Sequence, residues 1–245
     1  MRKSASARAP DGALFWFRQE QSLGKVQFDL STMQLDAVCE EGVIHPERLN
    51  IDWIRSRFAN PPAWQPESRL EKRFPTAFDP PTPASVLVPI VARNEGPAML
   101  LTKRTDHLHD HPGQVSFPGG RQDEGDASAV ETALREAEEE IGLHRRHVDV
   151  IGRLPEYLTG SGFSVTPIVS IVQPPFSLQP EPFEVAEVFE VPLAHLMNAA
   201  NHRLMSAEFP RGIGWRTFYA IPYDQYLIWG ATAGMLRNLF HFLRA

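Results

Sequence analysis

Three glutamates near the middle of the chain have a spacing that could hold a metal ion. Glu136, Glu139 and Glu140 stand at positions i, i+3 and i+4, which share one face of a helix. Carboxylates held this close repel one another unless a cation neutralises them. Oxygen ligands suit a hard cation such as Mg²⁺ or Mn²⁺, and Mg²⁺ is commonly bound together with phosphate groups. The alternative is an ordinary solvated acidic face, the usual state of such charges.

The flanking residues predict one helix that would position these carboxylates. Asp126 or Ser128 is a suitable N-cap, and Gly142 is a residue at which helices commonly end. A second arc of the same helix is apolar and should face a core; it consists of Val130, Ala133, Leu134, Ala137 and Ile141. Because Gly119 and Gly120 stand ahead of the helix, the segment 116–143 is predicted as a glycine loop followed by an amphipathic helix.

This combination of glycines, arginine and glutamates resembles the Nudix box, R-E-hydrophobic-x-E-E-x-G-hydrophobic. The matching residues are, in order, Arg135, Glu136, Ala137, Glu139, Glu140, Gly142 and Leu143. On this match the chain is identified as a member of the Nudix hydrolase family. The resemblance implies an α/β fold, the Nudix α/β/α sandwich with a mixed central sheet, in which the box forms a loop, a helix and a loop.

The resemblance also implies roles for individual residues. It assigns metal binding to Glu136, Glu139, Glu140 and the backbone carbonyl of Gly120, with Mg²⁺ or Mn²⁺ as the cofactor. Arg135 would pair with a glutamate of the box and orient it. An acid outside the box often completes the site, and Glu184 is our candidate among Glu184, Glu187 and Glu190, although all three could be solvated acids. The implied catalytic set is Glu139, Glu136, Arg135 and Glu184.

The box loop indicates one branch of the family. It is one residue longer than the general pattern, with Asp126 near the usual acidic position. The coenzyme A pyrophosphatases share this spacing and a similar D-x-S-x-x-x-T-A-L-R-E run, which is reproduced here by Asp126, Ser128, Thr132, Ala133, Leu134, Arg135 and Glu136.

Two further stretches resemble the same branch. LLTKRTDHLHDHPGQVSFPGG, ahead of the box, is similar to L-L-T-x-R-x3-L-R-x3-G-Q-V-x-F-P-G-G, except that His109 replaces the usual arginine and so lacks its fixed charge. After the box, L-P-x-x-x-T-x-S-G-F-x-V-T-P is matched from Leu154 to Pro167. The resemblance implies that the substrate is contacted by Arg104, His109, Gly113, Gln114, Phe117, Ser161, Gly162 and Phe163.

The implied reaction is hydrolysis of the pyrophosphate bond of coenzyme A or an acyl derivative. The products would be 4′-phosphopantetheine, or its acyl form, and adenosine 3′,5′-bisphosphate. Another nucleoside diphosphate derivative, such as ADP-ribose or NADH, is the first alternative substrate. A non-catalytic nucleotide-binding module is a second alternative, which the intact set of box carboxylates disfavours.

The net charge and the cysteine content of the chain limit which binding partners and which compartment are expected. The chain has 245 residues and a net charge of −6, which argues against electrostatic binding to nucleic acid or to an anionic membrane. Cys39 is the single cysteine, so an intramolecular disulfide is impossible and a reducing compartment, the cytoplasm, is expected. The expected partner is a small nucleotide substrate of the coenzyme A kind. The oligomeric state is left open, and a homodimer is one compatible assembly.

We divide the chain into three parts. Residues 1–45 form an extension of unknown role, in which 25–32 alternates like a strand. Residues 46–83 contain a short helix at 47–59 and a proline-rich linker, whose Trp64 and Phe74 should lie against the domain surface. Residues 84–245 form the hydrolase domain, with a hairpin of strands 84–92 and 98–104 and a C-terminal helix whose core residues are Leu236, Leu239, Phe240 and Leu243.

Overall fold

Strands dominate the part of the chain that the structure describes. A computed structural model describes residues 33–67, 80–108, 112–209 and 213–245. Its helices are α1 (Ile51–Ala59), α2 (Ala129–Ile141), α3 (Leu193–Leu196) and α4 (Ala231–Arg244). Its strands are β1 (Gln34–Val38), β2 (Thr82–Val91), β3 (Ala98–Arg104), β4 (Val115–Ser116), β5 (Gly119–Arg121), β6 (Val148–Arg153), β7 (Tyr157–Leu158), β8 (Phe163–Val172), β9 (Val185–Pro192), β10 (Arg203–Phe209), β11 (Gly214–Tyr223) and β12 (Tyr226–Trp229).

A parallel pair lies at the centre of the main sheet. β2 and β8 pair in register along their whole length, from Thr82 opposite Phe163 to Val91 opposite Val172. Both are rich in β-branched residues and mostly buried, as expected of strands covered on two faces. β3, β5, β6 and β7 join this pair in antiparallel pairing, so the sheet is mixed. β4 and β9 extend it along β3.

Helices cover both faces of this sheet, which confirms the predicted α/β/α sandwich. α2 packs on one face, where Ala133, Ala137 and Ile141 are fully buried in the smaller core cluster. α1, α3 and α4 contribute to the larger core cluster on the other face. The predicted core residues of the C-terminal helix are all fully buried there. No helix within the described ranges is long and apolar enough to cross a membrane.

A second, four-stranded antiparallel sheet lies beside the first, in the order β1, β10, β11 and β12. β11 contains the run TFYAIPY at 217–223, whose aromatic and β-branched residues favour a strand. The strand predicted at 25–32 and the position of Phe74 lie outside the described residues.

The predicted helix at 47–59 is confirmed, with one irregularity. A 3₁₀ turn spans Pro46–Leu49, and α1 begins at Ile51 because the side chain of Asn50 accepts a hydrogen bond from the amide of Trp53 at 2.8 Å. Ile54 on this helix is fully buried. Trp64 packs edge-on against the ring of Phe242 in α4, at 5.4 Å between centroids, as predicted for a side chain lying on the domain. The three-part division of the chain stays a prediction.

Candidate active site

α2 is fixed at both ends by residues of the predicted types. Ser128, rather than Asp126, is the N-cap, and its hydroxyl accepts a hydrogen bond from the amide of Glu131 at 3.3 Å. Gly142 takes a left-handed conformation with φ of 66°, and its amide bonds the carbonyls of Ala137 and Glu138. The apolar arc is buried against the sheet, so the rotation of the helix, and with it the direction of each glutamate, is set by packing.

Glu140 is buried at the edge of that packed face. Its side chain accepts a hydrogen bond from the amide of Gly119 at 3.1 Å, and the residue is only 7% exposed. Burial, followed by the charge of Glu136, raises the pKa of Glu140 to about 8. The positive charge of Arg104 acts in the opposite direction, and the charge of Glu184 adds to the rise. Glu140 therefore faces both a cation and other acids.

Glu136 lies one turn earlier, directly against the glycine loop. A β-carbon on Gly120 would stand 2.5 Å from the carboxyl group of Glu136, so only glycine allows this approach. Burial raises the pKa of Glu136 to about 7, with Arg135 opposing the rise and Glu139 and Glu184 adding to it. The structure thus brings the predicted backbone contributor, Gly120, next to a predicted ligand.

Arg135 is the charged centre of the loop-facing side. Its guanidinium binds Asp126 through two hydrogen bonds, of 3.0 and 2.9 Å, and lies 2.9 Å from both Glu136 and Glu139. The pairing with a box glutamate is as predicted. The hydrogen bonds from Arg135 lower the pKa of Asp126 to about 2. Sequence reasoning noted that Asp126 occupies the usual acidic position but did not find this role.

Glu139 differs from the other two glutamates. Its side chain is 59% exposed and is held by Arg135 rather than by burial. Glu138, by contrast, points away from the group and binds Arg145 at 2.8 Å, as the helical spacing predicts. The predicted metal ligands are therefore two desolvated carboxylates, Glu136 and Glu140, with an exposed third beside Arg135.

The three acids of the β9 region have different surroundings. Glu190 pairs with Arg93 at 2.6 Å, and Glu187 accepts a hydrogen bond from the hydroxyl of Tyr226 at 2.6 Å. Glu184 is half-buried, and its charge acts on both Glu136 and Glu140. Glu184 therefore differs from the other two as the acid whose charge acts on the carboxylates of α2.

The upstream contact residues lie at the ends of β3 and β4. Arg104 is half-buried, and its amide donates to the carbonyl of Gln114 at 3.0 Å, which holds Gln114 beside the end of β3. Gly113 has φ of +68°, a conformation that favours glycine. Phe117 is 3% exposed and packs in the larger core cluster. His109 lies outside the described residues.

The downstream contact residues form a tight polar turn ahead of β8. The hydroxyls of Thr159 and Ser161 lie 3.0 Å apart, and the amide of Phe163 donates to the Thr159 hydroxyl at 3.0 Å. Gly162 is buried with φ of +96°. The ring of Phe163 is 6% exposed and lies under the guanidinium of Arg121, at 5.7 Å. The aromatic rings of Phe117 and Phe163 are thus both part of the core.

The residues on α2 fit a hard divalent cation. Arg135 is shared among four acids, since Asp123 also lies 3.8 Å away, and in the described part of the chain Glu140 has no ion pair with a basic side chain. Buried carboxylates of like charge are costly unless a cation or a proton accompanies them. Carboxylate oxygens with a backbone carbonyl are the donors that Mg²⁺ and Mn²⁺ prefer.

A second cluster of possible metal ligands is more compact than the glutamates of α2 but does not need a metal. Glu41, Glu67 and His241 have ligand atoms within 4.8 Å of one another, a spacing not matched by the glutamates of α2. However, the guanidinium of Arg237 bonds both Glu41 and Glu67. Because that cation already neutralises the group, we assign the metal-compatible site to α2 and not to this cluster.

Comparisons with known proteins identify the family of this chain. The NUDIX domain model matches residues 81–209. "Uncharacterized Nudix hydrolase NudL" of Escherichia coli (strain K12) is 44% identical over 156 residues, which cover 64% of this chain and 80% of that protein. The protein of the same name from Shigella boydii serotype 18 matches to the same extent. A crystal structure of a C. elegans Ap4A hydrolase binary complex aligns with a TM-score of 0.41 and 19% identity, over 47% of this chain and 85% of that one.

Proposed function

The chain belongs to the Nudix hydrolase family, and from this premise we propose that it cleaves the pyrophosphate bond of coenzyme A or acyl-coenzyme A. The observation that carries the reaction class is the buried pair Glu136 and Glu140, which faces Glu184 and the cation of Arg104. The coenzyme A assignment depends on the sequence signatures on either side of the box.

The proposed cofactor is Mg²⁺ or Mn²⁺, held by Glu136, Glu140, Glu139 and the backbone of Gly120. When bound, such a cation would polarise the pyrophosphate and lower the pKa of the attacking water. The role of Arg135 is positional, because its guanidinium is itself fixed by Asp126 and in turn holds Glu136 and Glu139. Glu184 is the proposed acid outside the box, and its proposed role is to accept a proton from water, which the action of its charge on Glu136 and Glu140 supports.

The proposed substrate contacts fall into two groups. Arg104 is the proposed phosphate ligand, which is supported by the effect of its charge on Glu140 and by the match of a guanidinium to phosphate geometry. Gly113, Gln114, Ser161 and Gly162 offer backbone and small polar groups near strand ends. Phe117 and Phe163 are buried, so we assign them the task of supporting these loops from the core side.

A substrate panel tests the proposal. Coenzyme A, acetyl-coenzyme A, ADP-ribose, NADH and ATP are each incubated with the full chain and Mg²⁺ or Mn²⁺, and the products are identified by mass spectrometry. We expect the highest kcat/KM for the coenzyme A compounds, with 4′-phosphopantetheine and adenosine 3′,5′-bisphosphate as products. A higher kcat/KM for ADP-ribose or NADH would show that the substrate assignment is wrong, although the reaction class would stand. Binding of nucleotides without turnover of any would favour the non-catalytic module instead.

A further inference from the structure

An exposed aromatic ring lies one residue ahead of Glu184 in the chain and has no role in the chemistry described so far. Phe183 is 49% exposed, one of few large apolar side chains at the surface of the described residues. The others, Leu35, Val38, Val43 and Trp215, belong to the β1 region or to β11. Phe183 alone among them adjoins a proposed site residue, because Glu184 follows it in the chain.

The backbone that carries this ring is held by several hydrogen bonds. The hydroxyl of Thr105 donates to the carbonyl of Phe183 at 2.8 Å, and the amide of Thr105 donates to the carbonyl of Glu184 at 3.0 Å. The amide of Glu181 donates to the carbonyl of Glu140 at 2.8 Å, which ties the same turn to the end of α2. The ring is therefore presented by a fixed turn, attached both to the strand end that bears Arg104 and to the helix that bears the carboxylates.

One edge contact leaves much of the ring uncovered. The imidazole of His107 lies 4.8 Å from the Phe183 ring, centroid to centroid, at an angle of 60°. Such an arrangement orients the ring and adds a polar rim to it. The imidazole of His107 can cover at most one face of the phenyl group, so the exposed half of the Phe183 side chain stays available to a ligand.

The position relative to the charged groups identifies the kind of ligand. Thr105, which follows Arg104, bonds the backbone of Phe183 and of Glu184. The turn that carries the ring is therefore joined directly to the segments that bear the proposed phosphate-binding and proton-accepting residues. A nucleoside diphosphate derivative carries a flat base a short distance from its phosphates. Base–aromatic stacking is a common way to bind such a base, because every base has a π-face.

We propose that Phe183, held by Thr105 and flanked by His107, is the surface on which the base of the nucleotide substrate stacks. The proposal concerns the nucleotide half of the substrate and rests on the proposed hydrolase site, but it does not require that the other half be pantetheine. Phe183 would then determine affinity for the base, whereas the glutamates of α2 carry the reaction.

The test compares two ligands that differ only in the base. Calorimetry measures the Kd of AMP and of ribose 5-phosphate, with Mg²⁺, for the wild type, Phe183→Ala, Phe183→Tyr and Trp215→Ala. Trp215 is the matched control, since it is an exposed aromatic residue on β11, 53% exposed. We expect Phe183→Ala to weaken AMP binding about tenfold, towards the low end of the range for loss of one base–aromatic stack. Ribose 5-phosphate should bind as before, Phe183→Tyr should retain AMP affinity, and Trp215→Ala should change neither ligand.

Kinetics with the best substrate of the panel give a second measurement. Phe183→Ala should raise KM about tenfold while kcat stays within about twofold. Equal weakening of both ligands, or unchanged AMP affinity, would overturn the proposal. These outcomes are separable from the substrate assignment: if coenzyme A is not cleaved but AMP affinity still depends on Phe183, the stacking role stands. If coenzyme A is cleaved and Phe183→Ala leaves AMP binding intact, only the stacking role is lost.

Discussion

This molecule has two clusters of buried or half-buried charged side chains, and the pKa values of their acids are shifted in opposite directions. On α2, Glu136 and Glu140 have pKa values raised to about 7 and about 8, mainly by burial. Around α4, hydrogen bonds from His241 and Arg237 lower the pKa of Glu67 to about 2, against the effect of burial. Both groups lose water on folding, so desolvation alone does not decide the direction of the shift.

The difference lies in the cation that each cluster contains. Arg237 is 2% exposed and bonds Glu41, Glu67 and the ring of His202, while its guanidinium lies 4.9 Å from the ring of Tyr219. Two acids there share one buried guanidinium and a histidine. On α2, by contrast, Arg135 is divided among Asp126, Glu136 and Glu139. A cluster that supplies its own cation is stable without a ligand, whereas one with too little positive charge is suited to bind one.

Removal of the internal cation should give the largest effect. Arg237→Leu leaves two carboxylates without their partner in a largely desolvated place, and we expect a loss of about 3 to 5 kcal/mol in the free energy of unfolding. Chemical denaturation measures this value. Arg145→Leu is the control, because its ion pairs are on the surface and should contribute at most about 1 kcal/mol.

A triple variant sharpens the interpretation. Glu41→Gln and Glu67→Gln added to Arg237→Leu remove the orphaned charges and should restore part of the lost stability. If Arg237→Leu proves as stable as the wild type, the cluster is not the structural group described here.

On α2, removal of a charged side chain should affect turnover rather than stability. Glu140→Gln removes a buried charge that burial disfavours, so the melting temperature should hold or rise, while kcat should fall by at least about 10². Glu139→Gln should lower kcat similarly. Glu138→Gln, on the same helix but bound to Arg145, is the matched control and should keep its rate. Near-wild-type turnover of both Glu139→Gln and Glu140→Gln at saturating metal would contradict the metal assignment.

Acid should weaken the α4 cluster in two steps. His202 is fully buried, its Nε2 donates to the carbonyl of Leu196, and its Nδ1 accepts from Arg237. Burial lowers its pKa to about 4, and the charge of Arg237 adds to the fall, whereas the hydrogen bond to Leu196 opposes it. An unfolded histidine takes up a proton near pH 6.5, so stability should decline as pH falls from 6.5 towards 4. Glu67 has a lowered pKa, and its contribution is present above pH 4.5 and lost as pH falls towards 2.

Urea denaturation from pH 7 to pH 4 measures this loss, which we expect to be about 3 kcal/mol, because the pKa of the buried His202 falls from 6.5 to about 4 at ~1.4 kcal/mol per unit. His202→Gln cannot be protonated and should flatten the upper part of the profile, between pH 6.5 and 4. A wild-type profile that is level over this range would show that His202 takes up its proton without cost.

The arrangement of the glutamates on α2 could be predicted from the sequence, whereas the charged cluster around α4 could not. Arg135, Glu136 and Glu140 are neighbours on one helix, so periodicity, caps and a family pattern were sufficient to place them. Arg237 joins Glu41, 196 residues away, and Glu67, 170 residues away. No local sequence pattern predicts contacts between residues so far apart in the chain. A single arginine in an apolar helical segment would be predicted to lie at the surface.

Two finer features of the site also needed the structure. Among Glu184, Glu187 and Glu190, the spacing was equally acceptable for each acid, and only tertiary contacts with Arg93 and Tyr226 set two of them apart. Phe183 was not selected from the sequence, because an isolated phenylalanine in a polar loop has no periodicity to mark it. Its exposure depends on how Thr105 holds the turn, which is again a contact between distant parts of the chain.

The parallel pairing of β2 and β8 has a consequence for how this chain can vary. Parallel neighbours cannot be joined by a hairpin and need a long crossover connection, which here is residues 92–162 and contains β3, the glycine loop and α2. Both ends of that connection are anchored by ten paired positions, and α2 is anchored by its own burial. Length can then change only in the loops between anchors, as in the box loop that carries one additional residue. Insertion there leaves the strand register untouched, so substrate range can diversify on a scaffold whose central pairing stays the same.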